Sequence, residues 1–314
     1  MSRLRLRTVI GSVHCSGSNI TTEVAAYYGA SLSRTTILET RNEQQSFTKF
    51  AIDEATAAMV TASRNPNFVD HYRHSHQMAL TPYRTNQHFR ITATESAVTA
   101  LLITPGPTSY VVFATPANVS EPGRIHLVPF GEARETTINT RSQEREINYD
   151  NMGVSYAIHD NDIWHMAASP SGGQVAAACS EGVVILRQPE RSWGNRIEKL
   201  LGDSEFMAVS FKDENVLLAG MRSGTVWLVD LRTYDATSRL KHGSGVTATR
   251  TLLNDNYIVV RGLETMSIYD LRFAPLSESL SKPYMTFPGS YASDRFGLGF
   301  DYDPVLGVIA TGML

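Results

Sequence analysis

Two stretches of this 314-residue chain repeat one another at a spacing of 40 residues. One begins at Phe206 and reads FMAVSFKDENVLLAGMRSGTVWLVDLR; the other begins at Val246 and reads VTATRTLLNDNYIVVRGLETMSIYDLR. Each is an apolar run, a polar turn seven residues in (Asp213 in one, Asn254-Asp255 in the other), a second apolar run, a short turn, and a third run ending Asp-Leu-Arg. Short runs rich in Val, Leu and Ile between polar clusters read as strands joined by tight turns. The frame also fits at Ile163, with Pro170 seven residues on and a Glu181-Gly182 turn, at Val98 with Pro105, and at Phe296 with Asp303. Starts at 98, 163, 206, 246 and 296 leave steps of 65, 43, 40 and 50 residues. The long first step holds the polar stretch 131–151, which reads as a flexible loop. A unit of this size is one antiparallel sheet. Alone it leaves both faces wet, so copies must stack on one another as the blades of a propeller do. The last copy stops at Met313-Leu314, after its second strand, so the sequence predicts an incomplete last blade, an unpaired sheet edge and a truncated chain.

The first third lacks this texture. Phe47, Ala51, Ala55, Met59 and Ala62 recur near helical spacing, and Asn65-Pro66 supplies a stop, so a helix is expected over 47–64. Residues 1–90 are accordingly set apart as an irregular, partly helical N-terminal segment, and residues 91–314 as all-β propeller repeats. Residues 3–7 alternate Arg and Leu with a period of two, which favours an edge strand or arm over the amphipathic helix of a transit peptide. No apolar run approaches the length needed to cross a bilayer. Cys15 and Cys179 are the only cysteines and supply neither a disulfide framework nor a paired metal clip, so an intracellular, reducing compartment is expected, nuclear or cytoplasmic. The sequons at Asn19 and Asn118 are then expected to stay unmodified.

Catalytic signatures are missing. The chain holds no phosphate-binding Gly-Lys loop, no zinc-protease helix motif and no nucleophile elbow. The GLGF stretch at 297–300 lies inside a repeat strand and reads as packing. His71, His74 and His76, with His88 nearby, are the one group that could offer nitrogens to zinc, as a metal-dependent hydrolase would require. Their spacings of three and two do not make an i, i+4 pair, and solvated surface histidines are the simpler account. Cys179 sits among alanines in a predicted strand and reads as a small buried hydrophobe. With a net charge of −3, and basic clustering limited to Arg3, Arg5 and Arg7, nothing draws the chain to nucleic acid. No cofactor, no metal and no enzymatic activity are expected.

The remaining signal is the pair of triplets Asp230-Leu231-Arg232 and Asp270-Leu271-Arg272, placed at the same point of successive repeats. On a strand, residues i and i+2 share a face, so each Asp and its Arg are expected side by side, with both arginines on one rim. The simplest structural role has each Asp capping its own turn while each Arg covers a neighbour's apolar surface. A two-point docking site is the functional reading, because arginine is enriched at binding hot spots and grips acceptors with two N–H groups at once.

These units resemble the WD-repeat (WD40) β-propellers, which carry a Gly-His near the start and a Trp-Asp at the end of the third strand. His159 and His242 stand four residues before Ile163 and Val246, at the family's histidine position, while Trp-Asp is degraded to Val229-Asp230 and Tyr269-Asp270. The resemblance covers residues 95–314 and implies a nominally seven-bladed propeller. It also implies that the family's internal Trp–Ser/Thr–His–Asp hydrogen-bond set is largely lost, so that blades rest on apolar packing. The stretches LLAGMRSGTVWLVDLR (217–232) and YIVVRGLETMSIYDLR (257–272) look like the WDxR boxes of the cullin-four ubiquitin-ligase substrate receptors. The order of segments from Met221 to Gly312, with its GMRSGTV turn and long PYMTFPGSYAS connection, is similar to that set as well. Carried over, Arg232 and Arg272 contact the cullin-RING ligase adaptor, the damaged-DNA-binding protein. Asp230 and Asp270 orient them, and another surface presents a protein substrate. The chain is then a non-catalytic monomer within a larger complex. The alternative is a WD-repeat scaffold in some other assembly.

Overall fold

The computed structural model of the chain describes residues 11–12, 46–53, 58–64, 68–72, 88–93, 96–106, 109–118, 121–130, 153–158, 162–187, 197–200, 204–252, 256–273, 280–287, 300–303 and 308–311. Among them the regular elements are strands, apart from one 3-10 turn at Leu271–Phe273. Near the start lies β1 (Gly11–Ser12). A first four-stranded sheet takes β2 (Ser46–Asp53), β3 (Ala58–Arg64), β4 (Phe68–Tyr72) and β5 (His88–Ala93) in sequential order. A second takes β6 (Ala100–Ile103), β7 (Tyr110–Thr115), β8 (Gly123–Pro129) and β9 (Val154–Ile158). The third holds β10 (Ile163–Ala168), β11 (Gln174–Cys179), β12 (Gly182–Arg187) and β13 (Ile197–Leu200). Next come β14 (Phe206–Phe211), β15 (Val216–Met221), β16 (Thr225–Asp230) and β17 (Asp235–Lys241). They are followed by β18 (Val246–Thr251), β19 (Tyr257–Gly262), β20 (Met266–Asp270) and β21 (Met285–Thr286). The last sheet has three strands in the order β1, β23 (Val308–Thr311), β22 (Phe300–Asp303). The strands divide into two compact units, β2 to β13 in one, β1 with β14 to β23 in the other.

The 40-residue frame is drawn in the backbone. β10, β14 and β18 begin at Ile163, Phe206 and Val246, the residues that start the repeats. Each of these strands shifts register one step in, between Ile163 and His165, Phe206 and Ala208, and Val246 and Ala248. β2 carries the same irregularity between Phe47 and Lys49. A bulge recurring at one position of a strand is a designed feature of the unit, so the sheet β2–β5 is a further copy of it. This corrects the helix expected over 47–64, because β2 and β3 cover most of that stretch and pair with each other antiparallel. The apparent helical period had one source: a spacing of four is two strand repeats as well as about one helical turn. The strand period is itself broken at the bulge, which sets Phe47 opposite Ser63 and Ala51 opposite Val60.

Two further expectations are revised. Each four-stranded sheet has an outer strand that the three-strand reading passed over. In β17, Asp235 and Arg239 are exposed and Leu240 is buried, so the strand presents no apolar run. Part of the connection PYMTFPGSYAS supplies another, since Met285 and Thr286 pair with Ile268 and Ser267. The edge of β23 expected to be bare is paired with β1, Gly11 opposite Ile309 and Ser12 opposite Val308. The 131–151 loop, Phe296 and His159 lie outside the described residues.

Alternating strand residues feed apolar layers between neighbouring sheets. In the first unit Val60, Ala62 and Val69 of the β2–β5 sheet join Val111, Phe113 and Val128. Val112, Ile125 and Leu127 point the other way, toward Ile163, Val175 and Leu186. In the second unit Ala208, Leu218 and Val226 pack with Val246, Ile258 and Tyr269, and Val259, Ile268 and Phe287 pack with Ile309. Gly220 permits the close approach of β15 to β18, since a Cβ there would stand 2.4 Å from Val246 Cγ1. Gly220 itself pairs with Ala208 near the start of β14, and toward the ends of β14 and β18 the Ser210 hydroxyl meets Thr249 Oγ1 at 2.7 Å. β14 and β18 therefore run in the same direction, and so do β16 and β20.

Candidate docking site at two Asp-x-Arg turns

β16 ends at Asp230 and β20 at Asp270, as the repeat predicts, and because the two strands run the same way both ends lie on the same side of their sheets. The expected side-by-side placement is found, but by a different route. Leu231 and Leu271 leave the strands, with their N–H groups donating to the carbonyls of Asn215 and Asn256, each at 2.7 Å. Arg232 lies in a turn, and Arg272 in the 3-10 turn. The aspartate makes the fold-back. Asp230 Oδ1 accepts the Arg232 backbone N–H at 2.9 Å, and Asp270 Oδ1 accepts that of Arg272 at 3.0 Å, the Asx geometry that aspartate favours in turns.

The guanidinium then closes on the same carboxylate. Arg232 Nε donates to Asp230 Oδ1 at 2.9 Å and Nη2 to Oδ2 at 2.5 Å. In the second turn the corresponding distances are 2.9 and 2.6 Å. Hydrogen bonding from Arg232 lowers the Asp230 carboxyl to about 2, and hydrogen bonding from Arg272 does the same for Asp270, so both acids are charged throughout the physiological range. The arginine side chains remain 68% and 55% exposed while the aspartates are 13% and 9% exposed. The outward Nη1 group of each arginine has no partner among the described residues. Each turn thus offers two N–H donors outward from a pair whose charge is already balanced. The Asp-capping role weighed from the sequence is present. Both arginines stay more than half exposed, although Arg272 also lies beside the rings of Tyr257 and Phe273.

Around Arg272 stand side chains that the motif did not announce. Tyr257 lies directly opposite Asp270 across the hairpin, and its hydroxyl accepts from Arg272 Nη2 at 3.2 Å. Partial burial, then the Asp270 charge, pushes that hydroxyl's pKa up. The guanidinium carbon is 5.7 Å from the Tyr257 ring centre and 5.8 Å from that of Phe273, within cation–π range. The strand pairing could have found Tyr257, since the residue opposite the Asp follows from the hairpin.

One internal hydrogen-bond set also survives where the resemblance implied its loss. His242 is buried, with Nδ1 2.8 Å from the Tyr269 hydroxyl and Nε2 3.0 Å from Thr265 Oγ1. Tyrosine supplies here the polar tip that tryptophan supplies in the family pattern. Burial lowers the His242 pKa, so the ring is neutral at pH 7.

The zinc group is not assembled among the described residues. Tyr72 in β4 stands opposite His88 and His71 opposite Phe89, whereas His74 and His76 lie outside those residues. No cluster of three His, Cys, Asp or Glu side chains that could hold a metal occurs among the described residues. Cys179 is buried at the end of β11, as its apolar neighbours suggested. Arg3, Arg5 and Arg7 lie outside the described residues. No described helix is long and apolar enough to cross a membrane.

No family model and no curated protein sequence matches the chain. Solved structures do match it, 1354 chains in all. Among them, the WD40 domain of coronin from Toxoplasma gondii is similar over 87% of this chain and 68% of its own length, with a TM-score of 0.60 and 13% sequence identity. With its repeated four-stranded antiparallel sheets, the chain has the fold of the WD40 β-propellers.

Proposed function

We propose that this propeller is a substrate receptor of a cullin-RING ubiquitin ligase, docking on the damaged-DNA-binding-protein adaptor through Arg232 and Arg272. The observation that carries the reading is the recurrence of one turn. In successive sheets the same Asp caps the same backbone N–H, closes on the same Arg, and leaves the same outward donor pair on the same side. Repetition of a turn is expected from a repeat, but repetition of an exposed, unspent arginine is not required by folding. Arginine forks are common anchors of protein interfaces. Asp230 and Asp270 are positioning residues in this scheme. The chain supplies no catalysis; it holds a protein substrate near the ligase, in the nucleus or cytoplasm.

Capture on the immobilised, purified adaptor tests this directly. The wild-type chain should be retained and the Arg232→Ala, Arg272→Ala double variant lost, with unchanged thermal midpoints for both. Equal retention of the double variant would refute the docking role. The second reading, a scaffold in another assembly, is favoured by one fact: most of each fork is engaged by its own aspartate. In that case the arginines are turn closures only, and the adaptor is not retained at all.

A further inference from the structure

The two turns are built alike, yet their surroundings differ. The large apolar side chains left exposed among the described residues are Val154, Phe273, Leu280 and Tyr284; one of them, Phe273, borders Arg272, and another, Tyr284, borders Tyr257 beside it. Phe273 follows it directly and is 79% exposed. Tyr284, 62% exposed, lies with its ring centre 5.2 Å from that of Tyr257, which in turn accepts from Arg272. In the first turn the residue opposite the Asp is Val216, and the residue after the Arg is Thr233. One turn is an arginine beside two aromatic rings, with a third tilted against Tyr257; the other has no such rings and feels the Asp213 charge besides its own Asp230. Exposed aromatic side chains grouped around an arginine have the composition of an interface hot spot.

The charge balance restricts what fits there. Asp270 already neutralises Arg272 at 2.6 Å, so a partner carboxylate drawn to the outward N–H groups would also meet the Asp270 charge. A main-chain carbonyl meets no such repulsion and carries the partial charge that two N–H donors need. Apolar side chains beside that carbonyl would cover the rings. We infer that the Arg272 turn, with Tyr257, Phe273 and Tyr284, is the principal anchor of the docking surface. Its occupant is an uncharged, apolar loop of the partner that offers a backbone carbonyl to Arg272. This rests on the adaptor-docking reading, and it makes the Arg232 turn the lesser of the two contacts.

The test is the equilibrium affinity of the full chain for the purified adaptor, with thermal midpoints as the folding control. Phe273→Ala and Tyr284→Ala should each weaken binding about tenfold or more, as hot-spot truncations do, while Phe273→Leu retains most of it. Arg272→Ala should cost more than Arg232→Ala. Measured between about 0.05 and 0.5 M salt, wild type and an Asp270→Asn, Arg272→Gln double variant, which removes the ion pair without leaving a bare carboxylate, should show parallel slopes, because a neutral contact is not screened. If the wild-type chain binds but Phe273→Ala and Tyr284→Ala stay within about twofold of it, the aromatic anchor is wrong and the docking reading stands. A slope that flattens in that double variant would overturn the uncharged occupant. Absence of wild-type binding would overturn the docking reading and this inference together.

Discussion

The sheets β14–β17 and β18–β21 are neighbours with one frame, one bulge position and one exit turn, yet they are held differently. In the second, His242 links Tyr269 to Thr265 inside the sheet. In the first, the position of Tyr269 is taken by Val229, a fully buried residue with no polar group to offer. The layer they share is mostly apolar, with the Tyr269 hydroxyl and the buried Ser210–Thr249 hydroxyl pair as its polar members. The difference teaches that the 40-residue unit is specified by strand length, turn and apolar alternation, and that the internal hydrogen-bond set is an addition to it. Loss of Trp-Asp therefore costs a copy some stability without costing it the fold.

The largest expected effect asks whether the shared layer serves both sheets equally. Leu218 and Ile258 are both fully buried in it. Leu218→Ala and Ile258→Ala should each lower unfolding stability by about 2–5 kcal/mol in denaturant titration. A loss confined to one of them would show that the sheets do not rest on a common core. An intermediate effect separates the two. Tyr269→Phe keeps the ring but strips the hydroxyl from a buried His242 nitrogen, and should cost about 1–3 kcal/mol. The sister sheet, with Val229 at this position, has no such hydroxyl to lose. A neutral Tyr269→Phe would mean that the surviving hydrogen bonds add nothing.

Acid provides the next comparison. Burial lowers the pKa of His242, and burial with help from the Arg124 charge lowers that of His126 to about 4, where its ring stacks on Phe113 at 4.6 Å. A histidine whose folded pKa is depressed is protonated more readily in the unfolded chain, so stability is full above about pH 6.5 and falls as pH drops toward 4. For His126 the loss is on the order of 3 kcal/mol. His126→Phe, which can keep the stack, should flatten the acid limb in a series of melts at fixed ionic strength. An unchanged limb would place the acid sensitivity elsewhere. The smallest effect concerns Asp230 and Asp270. Their carboxyls stay ionised down to about pH 2, so adaptor capture should be the same at pH 5.5 and pH 8.

Much of this was written in the residue pattern. The starts at Ile163, Phe206 and Val246 were legible because each is followed, after a turn, by a strand buried on both faces, β11, β15 or β19. The outer strands were not, since β17 turns Asp235 and Arg239 to solvent and so lacks the signal that marks a strand. The misread stretch at 47–64 failed for a different reason, the arithmetic overlap of a four-residue spacing with both periods. At the candidate site the four charged residues followed from the repeat, although the Asx turn that joins them did not, because strand geometry alone would have paired them. Phe273 and Tyr284 were invisible as a group. One sits in the turn and the other beyond a connection, and only the pairing of β21 with β20 brings Tyr284 back toward Asp270.

The self-closed Asp–Arg fork has a kinetic side. A free arginine gives up roughly 2 kcal/mol of rotamer entropy when a partner fixes it. Here the aspartate has fixed it beforehand, through the backbone turn and two side-chain hydrogen bonds. An encounter with either turn therefore meets a side chain already held in one rotamer, so a partner that accepts this rotamer spends less contact energy on ordering it. Two such ready-made contacts on one side of adjacent sheets would let the second engage as soon as the first has formed. The complex would then be long-lived through slow release more than through fast capture.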